Sequence, residues 1–442
     1  MAYRCISLLL LLCVCLASFS CGQDDSTSNS DDDLSPSDDD SSPSIDDDDT
    51  ALDDDTSPDD DATDDDDDDD DDNDDDTTPS PTTWCTGIGT VSPEPGWVWE
   101  KRELVQVPTE FGNPFGFVQF DGEVLWVLWI EPNEPAYIWD YYLARLDGDE
   151  WTQWHISNFP ERDLDIVGLA VDEDGGVWTT AWDPQHLFFD VTLNVVRWVD
   201  GEIVESKPVA DSGLTGFGDL LILPDGRFVI TYSYGGFRIL EERPDGTFAQ
   251  KLFGGGLLDY AVGPDNLLHQ LSAGYEQFWY LHGSPINGFS LTAHGTLPAQ
   301  QMYQSPIGVT SDGVVTYSPF MEDKRLYLVQ YDGIDLSVQT WTPSPLIRWV
   351  APFAAAGVDQ HDRPYAVIST KDYEDAIFCY LNWCEDGIRA EVIEQSSTWW
   401  WATFHDSSTS PNQQVAVLAG QVEDGHHLTI YNRTNQNRKE QP

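Results

Sequence analysis

Positive charge is scarce in this chain. Lys and Arg number 20 against 80 Asp and Glu in 442 residues, a formal charge of −60. A shortage of that size argues against partners recognised through a basic surface, nucleic acid and anionic membrane above all. Long apolar runs are missing too: the most apolar one, residues 8–16, is too short to cross a bilayer. No extended stretch carries a 3.6-residue apolar period, so almost all strand and loop is expected. There is no Gly-x-Ser-x-Gly elbow, no phosphate loop and no His-Glu-x-x-His pair. Cysteine is sparse, and four of the seven lie within the first 21 residues.

What remains divides into three unlike pieces: residues 1–21, 22–83 and 84–442. The first has one charge, Arg4, then the apolar run, then Leu16-Ala17-Ser18-Phe19-Ser20-Cys21-Gly22. A short cationic start before an apolar core of this length reads as a secretory signal. Ser18 and Ser20 have the spacing an ordinary signal peptidase uses. The segment also resembles a bacterial lipoprotein signal, with Ser18 and Phe19 departing from the Leu and small residue usual there. That resemblance implies acylation of Cys21 and export. With Gly22 rather than Asp after the cysteine, it further implies an outer-membrane or cell-surface lipoprotein of a Gram-negative bacterium. An anchor that stays uncleaved is the remaining reading.

Residues 22–83 hold 30 Asp and no Lys or Arg. Neighbouring like charges repel and almost nothing apolar is available to bury, so a disordered, expanded linker is expected. Fully stretched it would reach on the order of 200 Å. A calcium-collecting role is the weaker reading, since the glycine turn and ligand spacing of calcium loops are missing from it. Acidic spacers of this kind resemble those of Gram-negative surface lipoproteins. Outside this stretch the chain is still acidic, with 19 basic and 50 acidic residues in 84–442.

The third piece repeats one phrase seven times: apolar run, tight turn, apolar run, then a second hairpin. The first turns fall at Asp121-Gly122, Asp174-Gly175, Asp225-Gly226, Asp265-Asn266, Asp312-Gly313, His361-Asp362 and Asn412-Gln413, with spacings of 53, 51, 40, 47, 49 and 51 residues. Asp-Gly between apolar runs marks a hairpin because the turn needs a positive φ. A four-strand unit at this period marks a propeller blade. The expected fold is therefore all-β: a seven-bladed β-propeller over 84–442, preceded by the acidic linker. The seventh unit lacks a last strand, and Trp97–Val107 supplies a matching one, so the ring is expected to close there. Trp126, Trp178, Trp198 and Trp341 sit on strands and read as wedge core. The run Asp172-Glu173-Asp174-Gly175-Gly176-Val177-Trp178 resembles repeats of the NHL and two-component-regulator propeller families, which supports the fold more than any activity.

Three cysteines remain in this piece: Cys85, Cys379 and Cys384. A Cys379–Cys384 disulfide across a tight hairpin is expected, with Cys85 paired to one of them as the alternative. One close pair and a distant third make a zinc site a poor reading.

In a propeller, the loops leading into the inner strands gather at one channel mouth. Here these are 113–115, 163–166, 214–219, 254–259, 303–306, 352–355 and 397–406. They bring Asp165, Asp219, Asp259, Tyr260, Trp400, His405 and Asp406 to one rim as candidate ligand-binding residues. Converging carboxylates could hold Ca²⁺, or could be ordinary acids on an acidic domain. His405-Asp406 is a weak general-base signal, because adjacent strand side chains face opposite ways. His426-His427 is a weak metal cue. The Trp399-Trp400-Trp401 triplet would suit a sugar ring or peptide side chain, or would simply pack. The preferred reading is a tethered monomeric binding module for a glycan, peptide or envelope protein, touching membrane only through its lipid. A metal-dependent lyase or lactonase at the channel mouth and an envelope scaffold are the alternatives.

Overall fold

In the computed structural model, the described residues are 85, 90–91, 95–108, 113–133, 138–156, 165–183, 192–211, 218–233, 237–253, 260–274, 277–296, 307–317, 325–342, 349–350, 355–371, 376–396, 401–422 and 425–436. Among them every regular element is a strand. The strands form seven sheets, each a blade, and follow one another in chain order from the centre outward. Blade 1 runs Phe115–Asp121, Val124–Asn133, Ile138–Asp147 and Glu150–His155. The inner strands of blades 2 to 6 are Asp165–Val171, Gly218–Ile222, Ala261–Val262, Ile307–Val309 and Ala355–Val358. In blade 7, Trp401–Thr409, Val415–Val422 and His426–Asn435 are completed by Trp97–Val107 as fourth strand. That strand pairs antiparallel from Trp97↔Asn435 to Val107↔His426. The two ends of the domain thus close the ring and remove an open edge between first and last blades.

The turn chemistry explains the repeat. The second turn residue has positive φ in all seven units: Gly122, Gly175, Gly226, Asn266, Gly313, Asp362 and Gln413, at 58°, 76°, 83°, 61°, 87°, 59° and 64°. In blades 2 to 7 the residue three positions earlier accepts its N–H and exchanges a second hydrogen bond with the residue one further on. Three of these positions are not glycine, and each of those side chains reaches the preceding blade. Asn266 Oδ1 accepts from Asp225 N at 3.0 Å, Asp362 Oδ1 from Ser311 N at 2.6 Å, and Gln413 Nε2 lies 2.8 Å from His361 Nε2. Asn and Asp tolerate this conformation better than most residues, and here the side chain links neighbouring turns.

The blades pack face to face, so the middle strands of the blades are buried on both sides and read as continuous apolar runs. In Val415–Val422, Val415, Val417 and Ala419 pack toward blade 6, while Ala416 and Leu418 pack toward blade 1. Trp178, Trp198 and Trp341 are buried in such wedges. Trp126 is partly buried there, stacked on Trp154.

The N-terminal segment grips two blades. Thr90–Val91 adds a parallel outer strand to blade 6, against Ile388 and Arg389. Just before it, Cys85 is disulfide-bonded to Cys379 inside a buried apolar cluster. This corrects the Cys379–Cys384 expectation. Both of those cysteines lie on one strand, Ala376–Cys384. Five extended residues hold them roughly 16 Å apart and on opposite faces. Cys384 remains a free thiol, with Asn382 Oδ1 3.0 Å from its Sγ.

Candidate functional site

Each inner strand presents to the hub of the ring one edge with no strand partner among the described residues. Unpaired N–H groups there require acceptors. At the seam between blades 7 and 1 side chains provide them: Val118 N donates to Asp406 Oδ2 at 2.8 Å, and Phe120 N donates to Ser408 Oγ at 3.1 Å. Asp406 is aimed by a register shift between Phe404 and Asp406, a bulge of the kind that redirects a side chain. Ser407 N donates to its Oδ1 at 2.7 Å, and Ser407 Oγ lies 3.0 Å from Tyr365 OH.

Asp219 is the second residue of the inner strand of blade 3, where its Oδ1 accepts from Leu220 N at 2.8 Å. A tight fit holds it there. Gly168 of blade 2 has φ of 72°, and a Cβ at that position would lie 2.6 Å from Leu220 N and 3.0 Å from the Asp219 carbonyl carbon.

Two candidate residues therefore act on one another. Asp406 is half-buried as a residue, yet enclosure of its carboxyl is the largest influence on its titration. Burial, and then the Asp219 charge, push its pKa up to about 8, against the opposing pull of the Val118 and Ser407 N–H groups. A carboxyl in that state can exchange a proton near neutral pH.

The other rim candidates are placed differently. Tyr260 packs in the wedge between blades 3 and 4 with Leu221, Leu223, Val262 and Leu268, and burial raises its phenol pKa. Asp165 and His405 lie on inner strands, but their side chains fall outside the described residues, as do Asp259 and Trp400. Residues 1–83, including Cys21, also lie outside them. Among the described residues no three His, Cys, Asp or Glu side chains gather to hold a metal ion.

A second site, unanticipated from the sequence, lies between blades 4 and 5. Its cavity is about 490 Å³ and is lined by Asp265, His269, Tyr280, His282, Asp312 and Tyr331, among others. Cross-strand pairing of His269 with His282, and of Leu271 with Tyr280, puts Tyr280 and His282 on one sheet face. Their rings lie 7° from parallel at 5.2 Å, and Tyr331 approaches Tyr280 at 4.7 Å.

Behind them runs a hydrogen-bonded chain. His269 Nε2 lies 3.0 Å from Asp265 Oδ1, and His269 Nδ1 lies 2.7 Å from Tyr280 OH. A carboxylate only accepts, so His269 donates from Nε2 and accepts the Tyr280 hydroxyl at Nδ1. Burial opposes ionisation of Asp265, but hydrogen bonds from His269 and from the Leu267 N–H keep the carboxyl below the usual range. Burial pushes Tyr280 up to about 12, helped by Asp265 and Tyr331, so its hydroxyl stays protonated. The Nδ1 atom of His282 is buried without a hydrogen bond among the described residues. The Tyr280-Leu281-His282 alternation was the one sequence signal for this site.

No family model matches the chain, and no curated protein matches it. Solved structures do. A fungal alcohol oxidase of the AA5 family, in complex with copper, is similar at 12% identity and TM-score 0.51 over 76% of each chain. The β-propeller domain of the Trilobed protease from Pyrococcus furiosus is 8% identical, with TM-score 0.44 over 74% of this chain and 96% of that one. A PL25 ulvan lyase is 11% identical, with TM-score 0.45 over 74% and 95%. At such identities the likeness is one of fold.

Proposed function

We propose that this propeller is an exported binding module, lipid-anchored through Cys21 on an acidic stalk, that holds a neutral glycan unit between blades 4 and 5. The cavity there carries the reading. Its volume of about 490 Å³ accommodates a sugar ring, and its walls combine aromatic surface with polar groups that fix orientation. The stacked Tyr280 and His282 offer an apolar platform. Asp265, Asp312 and the buried His282 Nδ1 offer hydrogen bonds to hydroxyl groups.

A glycan array probed with the mature protein tests this. Binding to neutral oligosaccharides is expected, lost in His282→Ala and weakened in Asp312→Asn. Indifference of all neutral glycans, or binding untouched by both substitutions, would overturn it.

The Asp265–His269–Tyr280 chain supports a second reading, acid–base catalysis on the bound sugar. Under that reading, product accumulates with wild type and not with His269→Gln, while binding persists. Binding with no turnover in either would leave the module reading standing alone.

A further inference from the structure

Along one face of the third strand of blade 7, alternate residues read Leu428, Ile430, Asn432, Thr434. The first two pack in the wedge against blade 1. Where the side chains turn polar, the wedge opens into a cavity of about 300 Å³. Asn432 and Thr434 line it and are only 8% and 6% exposed. Neither Asn432 Oδ1 nor Thr434 Oγ1 makes a hydrogen bond among the described residues. Two enclosed oxygens facing one cavity without partners call for a donor from outside the chain.

The surrounding charge defines that donor. Glu100, directly opposite Asn432 across the strand pair, lines the cavity together with Glu123, Asp147 and Asp149. Among the described residues no Lys or Arg lines it, although Arg145 holds Asp147 from one side at 2.5 Å. The floor is apolar, formed by Phe120, Leu125 and Leu146. Oxygen acceptors and acids above an apolar floor suit a cationic head with several donors on an aliphatic stem.

We propose that the blade 7–blade 1 wedge binds a primary alkylammonium group, supplied either by a free diamine or by a lysine side chain of a polypeptide. The ammonium donates to Asn432 Oδ1, Thr434 Oγ1 and a carboxylate, while its methylenes cover Leu125 and Leu146. This site goes beyond the glycan cavity and shares no residue with it, so His282→Ala leaves ammonium binding unchanged.

Calorimetric titration of the full chain with 1,5-diaminopentane, with a capped peptide carrying one lysine, and with its norleucine counterpart tests the proposal. The diamine is expected to bind and the norleucine peptide is not. Binding of the lysine peptide as well identifies polypeptide as a source, and its failure leaves the free amine. The Asn432→Leu/Thr434→Val pair, which keeps the side-chain volumes and removes both oxygen acceptors, should weaken binding about tenfold or more. If that pair does not fold, Glu100→Gln alone should weaken binding several-fold. The idea is overturned if neither amine binds by about 10 mM, if norleucine binds equally, if the folded variants bind like wild type, or if Ca²⁺ displaces the amine at lower concentration.

Discussion

Arg433 grips Glu391 with both arms of its guanidinium, Nε to Oε2 at 2.8 Å and Nη2 to Oε1 at 2.5 Å. The pair joins the third strand of blade 7 to the outer hairpin of blade 6, and both side chains are buried, at 6% and 9% exposure. Trp99, from the closing strand, donates to the same carboxylate at 3.2 Å, and Trp97 stacks on the guanidinium at 4.2 Å. Three segments distant in sequence meet at one ion pair.

Removing one partner leaves a buried charge uncompensated. Glu391→Gln or Arg433→Met is therefore expected to destabilise the domain by about 3–5 kcal/mol, and the double substitution by less than the two together. Chemical denaturation in a double-mutant cycle measures this. Additive losses would sink the pairing.

Deleting Trp97–Val107 strips the fourth strand from blade 7 and exposes the edge of His426–Asn435. Loss of cooperative unfolding and aggregation are expected, read by calorimetry and light scattering. A monomeric truncation with unchanged Tm would contradict closure by this strand.

Asp406 makes stability depend on pH with a defined sign. Its carboxyl titrates near 3.8 when unfolded and about 8 when folded, so the folded chain binds more protons between those values. The contribution is complete below about pH 4 and is lost as pH rises toward 8. After discounting for exposure of the residue toward the channel, the effect is on the order of 2 kcal/mol. Asp406→Asn should flatten the denaturation midpoint across that window. Asp219→Asn should make the loss smaller and end it at lower pH, since one of the charges opposing ionisation is gone. A wild-type midpoint that does not fall between pH 4 and 8 would refute the assignment.

The Cys85–Cys379 bridge spans 294 residues and anchors the segment that precedes the closing strand. Cys85→Ser or reduction is expected to cost about 2–5 kcal/mol, whereas Cys384→Ser should change stability little. Peptide mapping after alkylation checks the pairing directly. Recovery of a Cys379–Cys384 peptide would overturn it.

Local chemistry wrote the blade plan into the sequence. Positive φ at the turns demands Gly, Asn or a polar stand-in, and double-sided burial demands unbroken apolar runs such as Val415 to Ala419. Both signals lie within about ten residues, so the repeat, the strands and the missing fourth strand of blade 7 were legible. The sites were not. Val118 and Asp406 are 288 positions apart, and Trp99 and Glu391 are 292 apart. No local pattern states such distances, because closing a ring decides which strand edges meet. The same applies to the cysteines: spacing suggested neighbours, but one extended strand holds Cys379 and Cys384 apart while ring closure brings Cys85 in. Composition and periodicity determined the architecture of residues 84–442. The carboxyl at the hub, the aromatic cavity between blades 4 and 5, and the polar cavity at the closing seam exist only because distant blades converge.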